Sequence, residues 1–188
     1  MKPINPKNRI ETKVDINSAY LADRSDTRSS FGLDLFTSPD KSYELALVST
    51  PEGSISKRTE KESVNGGTAT TRDIEVKEKN KLKFNALFAK RFYDMVFKVG
   101  LIESEGGLSM DYLLNHDKIK LSASAFDFGG NKPNIRLESR LSFLRNFYGQ
   151  VGGDALVDST KRDVYLGAGL MFTDEDIKSL LGFMTIGQ

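Results

Sequence analysis

Apolar and polar residues alternate one by one along most of this 188-residue chain. From Leu108 the sequence runs Leu-Ser-Met-Asp-Tyr-Leu-Leu, from Ile119 Ile-Lys-Leu-Ser-Ala-Ser-Ala-Phe, and from Ile135 Ile-Arg-Leu-Glu-Ser-Arg-Leu-Ser-Phe. Strand side chains point to opposite faces in turn, so each such segment has one apolar and one polar face. Helical spacing is confined to the C-terminal end. The pattern predicts an all-β fold: a single closed antiparallel up-and-down transmembrane β-barrel of ten strands over residues 10–172, with a short C-terminal helix.

The strands are expected at 10–21, 27–37, 42–50, 72–90, 93–103, 107–115, 118–128, 133–144, 146–154 and 162–172. Most are longer than the ~5–6 residues usual in soluble sheets and suit tilted membrane strands of ~9–11 residues. Connections at 37–41, 91–94, 115–118 and 144–146 are tight, whereas 22–26, 128–133 and 155–161 are looser; Glu103–Gly107 is a short exception. Residues 1–9, with Pro3 and Pro6, read as a linker from an upstream region that this chain lacks. Residues 51–81 read as a long, charged hairpin turning at Asn65-Gly66. Residues 173–188 form an amphipathic helix and tail, with Thr173 as N-cap and Asp174, Glu175 and Asp176 in the first turn. Its stripe of Ile177, Leu180 and Leu181 marks a gate or an anchor.

Alternation alone does not say which face is inward. In a soluble, lipocalin-like lipid-binding barrel, Leu45, Phe84, Val99, Leu108, Leu121, Leu137 and Leu166 would line the interior. In a membrane barrel they face lipid, and Glu11, Lys13, Asp15, Asp34, Lys83, Lys98, Asp111, Lys120, Arg136, Glu138 and Arg140 fill the lumen as a charge-balanced network. Three features favour the second arrangement. An even strand number goes with alternating tight and loose ends. Tyr43, Phe88, Phe97, Phe143, Phe147 and Phe172 collect at the tight-turn end, with Phe92 and Tyr93 in a turn, as an interfacial aromatic girdle would. The last strand, Tyr165-Leu-Gly-Ala-Gly-Leu-Met-Phe172, resembles the C-terminal signal of outer-membrane barrels. Within the inward set, Ala46, Val48, Leu87, Gly100, Ile102, Phe126 and Gly167 form a candidate apolar strip along which a lipid could pass. Simple packing is the competing explanation for that strip.

Charge is nearly balanced, with 27 basic and 26 acidic residues, so nucleic acid is not an expected partner. Cysteine is absent, which excludes disulfides and thiolate metal sites. No apolar run reaches the ~20 residues of a membrane helix. Met1-Lys2-Pro3 opens no secretory leader, so an exported form is expected to be part of a longer chain. The single histidine, His116, falls in a tight turn, and Asp15, Asp34, Asp111 and Glu138 are interleaved with Lys and Arg. Salt bridges are therefore expected in place of acid–base or nucleophilic chemistry, with no catalytic residue, no metal and no cofactor.

Two segments carry a family resemblance. Leu82-Lys-Phe-Asn-Ala-Leu-Phe-Ala-Lys-Arg-Phe92, followed by Val99-Gly-Leu-Ile-Glu-Ser-Glu-Gly-Gly-Leu-Ser-Met-Asp-Tyr112, and the ending Tyr165-Leu-Gly-Ala-Gly-Leu-Met-Phe-Thr-Asp-Glu-Asp-Ile-Lys-Ser-Leu-Leu-Gly182 both resemble the C-terminal region of long MCE (MlaD-type) lipid-transport proteins of diderm Firmicutes and Deltaproteobacteria. The Gly-Leu-Ile-Glu-Ser-x-Gly-Gly hairpin is the most specific piece. The resemblance implies the outer-membrane barrel end of a transenvelope bridge that moves phospholipid between two membranes. It further implies periplasmic termini, an upstream MCE and needle region of the same polypeptide, and an ABC-transporter complex as partners. A passive outer-membrane anchor or porin remains the alternative within the membrane.

Overall fold

The computed structural model describes residues 10–50, 55–62, 70–77, 81–129 and 132–179. Twelve strands follow in chain order: β1 Glu11–Leu21, β2 Asp26–Ser38, β3 Lys41–Thr50, β4 Ile55–Glu62, β5 Thr70–Lys77, β6 Lys81–Phe92, β7 Met95–Ile102, β8 Glu105–Leu114, β9 Ile119–Phe126, β10 Asn134–Ser142, β11 Phe147–Asp154 and β12 Asp163–Thr173. Ten close into an antiparallel up-and-down barrel in the order β1-β2-β3-β6-β7-β8-β9-β10-β11-β12, and β12 returns to β1. Closure leaves no unpaired sheet edge. The remaining two, β4 and β5, pair with each other from Ile55↔Lys77 to Glu62↔Thr70, inserted between β3 and β6.

The expected strand 72–90 is thus two elements. Its first part pairs inside the ribbon as β5, and its second joins the barrel as β6. The expected turn at Asn65-Gly66 lies outside the described residues, as do the linker 1–9 and residues 180–188.

The two rims differ. At the terminal rim lie the start of β1, the end of β12 and the tight connections 39–40, 93–94, 115–118 and 143–146. At the ribbon rim lie the loops 22–25 and 155–162 and residues 127–129, together with the short turn Glu103-Ser104. That turn takes positive φ at both residues (51° and 67°), the mirror-image geometry that matches strand twist. Both amides are satisfied: Glu103 N–H donates to Asn85 Oδ1 at 2.7 Å and Ser104 N–H to Phe84 O at 2.7 Å. At the other rim, Thr37 is an extra residue in β2, a bulge where the register shifts between Phe36↔Ser42 and Ser38↔Lys41.

The described helix, α1, covers residues 174–179 and directly follows β12. Asp176 accepts from the Thr173 backbone N–H (2.9 Å) and hydroxyl (2.7 Å), so the third helical residue clasps its own cap. The same carboxylate accepts from Asn146 Nδ2 at 2.9 Å and faces Arg145 at 3.2 Å, tying α1 to the β10–β11 turn. The Thr173 and Asn146 hydrogen bonds hold the Asp176 carboxyl below its ordinary range. A depressed carboxyl supports the folded state above its unfolded value and loses that support as pH falls through the folded one. Protection of the Thr173 amide from hydrogen exchange is expected to persist at mildly acidic pH and to drop below the ordinary carboxylate range. Asp176→Asn should lose that pH step.

Candidate functional site

The barrel is apolar outside and charged inside. Leu45, Phe31, Val99, Leu108, Leu121, Leu137 and Leu166 all face outward and are between 42% and 68% exposed. Aromatic pairs sit on the outer wall near the terminal rim: Tyr43 with Phe88 at 5.6 Å and Phe92 with Phe97 at 6.0 Å. Opposite residues on the same strands point inward and meet as ion pairs. Soluble monomers rarely carry large contiguous apolar patches.

Three layers of charge fill the lumen. Toward the ribbon rim, Glu103 is 4% exposed and receives Arg136 (2.6 Å), Lys83 (3.3 Å) and Arg28 (3.7 Å). Asp154, on β11, completes this layer with Arg136 at 2.9 Å and Arg28 at 3.1 Å. The two guanidiniums also stack on rings, Arg28 on Tyr165 at 4.6 Å and Arg136 on Phe126 at 4.9 Å. Midway, Arg140 holds Asp15 (2.8 Å) and Glu138 (3.6 Å) and lies 4.0 Å over Tyr148. Tyr148 donates its hydroxyl to Asp15 at 2.6 Å, and Tyr165 donates its own to Glu138 at 2.8 Å. Toward the terminal rim, Lys98 bridges Glu44 (2.7 Å) and Asp111 (2.8 Å), with Lys120 3.9 Å from Asp111.

The ribbon-rim layer is a plug. Leu21, Phe126, Tyr165 and Asp163 expose 2% of their surface or less, and Arg28 exposes 8%. Below it the lumen opens into a cavity of about 210 Å³ at the terminal rim, lined among others by Lys13, Asp34, Phe36, Lys98, Lys120 and Arg140. Among the described residues, no group of three or more His, Cys, Asp and Glu could hold a metal ion.

The structure sorts the residues singled out in the sequence. Asp15, Lys83, Lys98, Asp111, Lys120, Arg136, Glu138 and Arg140 meet in the three layers. Glu11 stands apart: it begins β1 at the rim and is exposed. Lys13 lies over the Phe36 ring at 4.6 Å and forms no ion pair among the described residues, although Asp34 is its partner in register on β2. Of the apolar strip, Leu87, Ile102 and Phe126 pack into one buried cluster. Ala46 and Val48 lie on β3 beside Asn85 and Lys83 of β6, and Gly100 pairs with Leu87 and Gly107. Gly167 sits elsewhere, between Ala19 and Gln150, so the seven do not make one continuous stripe. Ile177 lies in α1, whereas Leu180 and Leu181 lie outside the described residues. His116 is exposed in a turn with φ of 57°.

Sequence reasoning missed Arg28, Glu103, Asp154, Asp163, Tyr148 and Tyr165. The two tyrosines carried a signal, since each occupies an inward position opposite a glycine. A Cβ added to Gly169 would overlap the Tyr148 ring, and one added to Gly152 would overlap Tyr165. Gly169→Ala is therefore expected to displace Tyr148, break its bond to Asp15 and cost about 1–3 kcal/mol by overpacking. Urea unfolding of the variant in detergent checks this, and an unchanged midpoint would show that the ring has room to move.

Comparison with known proteins adds a family. A family model for a lipocalin-like domain matches residues 12–179, nearly the whole barrel and its helix. The chain belongs to that family. A relative from Aquifex aeolicus (strain VF5), described only as an uncharacterized protein, is 32% identical over 169 residues. The match covers 84% of this chain and 49% of the relative, so this lipocalin-like domain spans about half of that protein's length. Among solved structures, a chain from "De novo design of transmembrane beta-barrels" aligns with a TM-score of 0.38 and 11% identity, covering 86% of this chain and 95% of that one.

Proposed function

We propose that this lipocalin-like domain is the outer-membrane barrel module of a transenvelope MCE (MlaD-type) bridge, contributing to phospholipid traffic between the inner and outer membranes. The observation that carries the reading is the inverted polarity of the wall: an outward belt of Leu, Phe and Val around a lumen of buried ion pairs. A barrel that stores a small apolar ligand in water needs the reverse arrangement, an apolar cup inside a polar wall. The MCE connection rests on the sequence resemblance at Lys81–Asp127 and at the C-terminal end. Phospholipid is the cargo in this reading, and the upstream region with its ABC transporter supplies the drive.

The lumen is no porin. Ten strands enclose little more than the eight-stranded barrels whose interior side chains fill, and here the Glu103 layer closes one end. That plug favours a second role, an outer-membrane anchor for the bridge, with lipid leaving at the terminal rim. Helix α1, clasped to the β10–β11 turn through Asp176, acts as a rim anchor.

Both termini of the barrel share one rim, so the bridge places that rim in the periplasm and residues 51–81 outside the cell. Protease added to intact cells is expected to cut within 51–81. Cutting only after the outer membrane is opened would reverse the orientation, and recovery of the protein in a soluble fraction would overturn the membrane reading.

A further inference from the structure

The terminal-rim cavity departs from the charge pairing that governs the rest of the lumen. The central charges of the three layers hold closer partners, as set out above. Asp34 has no ion-pair partner, and Lys13 makes only its contact with the Phe36 ring. Lys120 reaches Asp111 at 3.9 Å, but Lys98 already occupies that carboxylate at 2.8 Å. All three line the same 210 Å³ cavity.

Their placement is specific. Asp34 is on β2 and Lys120 on β9, and in the closed order β1-β2-β3-β6-β7-β8-β9-β10-β11-β12 these strands stand five apart, on opposite walls. The cavity therefore offers on one wall an anionic group that forms no ion pair, and on the other a cationic group held only at 3.9 Å by a carboxylate that Lys98 already pairs at 2.8 Å. The Phe36 ring beside Asp34 already carries an ammonium, that of Lys13. Leaving charges half-buried without partners is costly, and a ligand carrying both signs removes that cost.

We propose that this cavity binds a small zwitterion bearing an ammonium and a phosphate, the chemistry of a phosphoethanolamine group. The ammonium takes Asp34, and the phosphate takes Lys120 on the facing wall. The volume admits a headgroup and excludes acyl chains, which leave through the open rim. The aromatic pairs on the outer wall lie near the same rim, at the level where headgroups sit against a membrane barrel. The proposal deepens the lipid-trafficking reading and depends on it for the source of the ligand.

Calorimetric titration of the full chain, refolded in detergent, tests it with short-chain phosphatidylethanolamine, short-chain phosphatidylglycerol and free phosphoethanolamine. Phosphatidylethanolamine should bind about ten-fold tighter than phosphatidylglycerol, the worth of one charge-assisted hydrogen bond. Asp34→Asn should erase that preference by weakening phosphatidylethanolamine alone, Asp34→Glu should keep it, and Lys120→Met should weaken both lipids. Free phosphoethanolamine bound with the same Asp34 dependence shows that the zwitterion suffices; binding of the lipid alone assigns the site to a membrane-held headgroup. Equal affinities, no binding by any of the three, or a preference that survives Asp34→Asn overturns the proposal. Heat-modifiable migration confirms that each variant is folded. A barrel that inserts into liposomes but binds no zwitterion sinks the site alone, whereas one that never inserts sinks the membrane reading beneath it.

Discussion

Arginine in place of Leu137 is expected to cost the barrel about 2–4 kcal/mol of stability in lipid. Leu137 lies at the middle of β10, faces outward and is 50% exposed. If the wall faces hydrocarbon, a guanidinium at mid-height must drag water or thin the bilayer. If the wall faces water, the same change is a surface substitution worth within about 0.5 kcal/mol. The two readings of the apolar face thus differ several-fold at one position. Val164→Arg, outward at the ribbon rim, supplies the depth control and should cost about 0–1 kcal/mol. The measurement is urea unfolding of the chain refolded into liposomes, read by heat-modifiable migration. Equal and small effects at both positions would falsify the membrane reading.

The same inversion explains how far the sequence could be read. Period-two alternation located nine of the ten barrel strands to within a few residues, because each half-buried strand must separate its two faces. It failed at 72–90, where the all-polar run Lys77-Glu-Lys-Asn-Lys81 interrupts the alternation without saying which strand each side pairs with. Only the pairing of β5 with β4 separates the ribbon from the wall. For the lumen, parity was enough wherever a charged residue sat mid-strand: Lys98, Asp111, Lys120, Glu138 and Arg140 share the inward parity of their strands. Parity was not applied to the lumen tyrosines. Tyr148 drew no notice and Tyr165 only as the head of the last strand, yet each uses its hydroxyl on a lumen carboxylate. Parity was silent at strand ends. Glu103 sits in a turn, and Asp154 and Asp163 border a loop, so their inward direction depends on backbone geometry that alternation does not encode.

Glu103 is where this blind spot matters most, and Glu103→Gln is expected to be the most damaging lumen substitution. The carboxylate faces three cations, Arg136, Lys83 and Arg28, while Asp154 is the other anion that those arginines reach. Neutralising it leaves Arg136 and Arg28 sharing one buried carboxylate, Asp154. Breaking a buried ion pair by removing one partner costs about 3–5 kcal/mol, because the remaining charge is stranded away from water. The exposed pair Arg91–Asp117 is the contrast: its two bonds of 2.8 and 3.0 Å are well formed, but the side chains are 37% and 51% exposed. Arg91→Ala should cost no more than about 1 kcal/mol. A double-mutant cycle of Glu103→Gln with Arg136→Met removes the stranded charge and should recover part of the loss, a coupling of about 0.5–3 kcal/mol. Urea midpoints of the four proteins decide it. A loss at Glu103 no larger than at Arg91, or no coupling to Arg136, would mean that water already penetrates the ribbon rim and that the lumen has no plug to keep it shut.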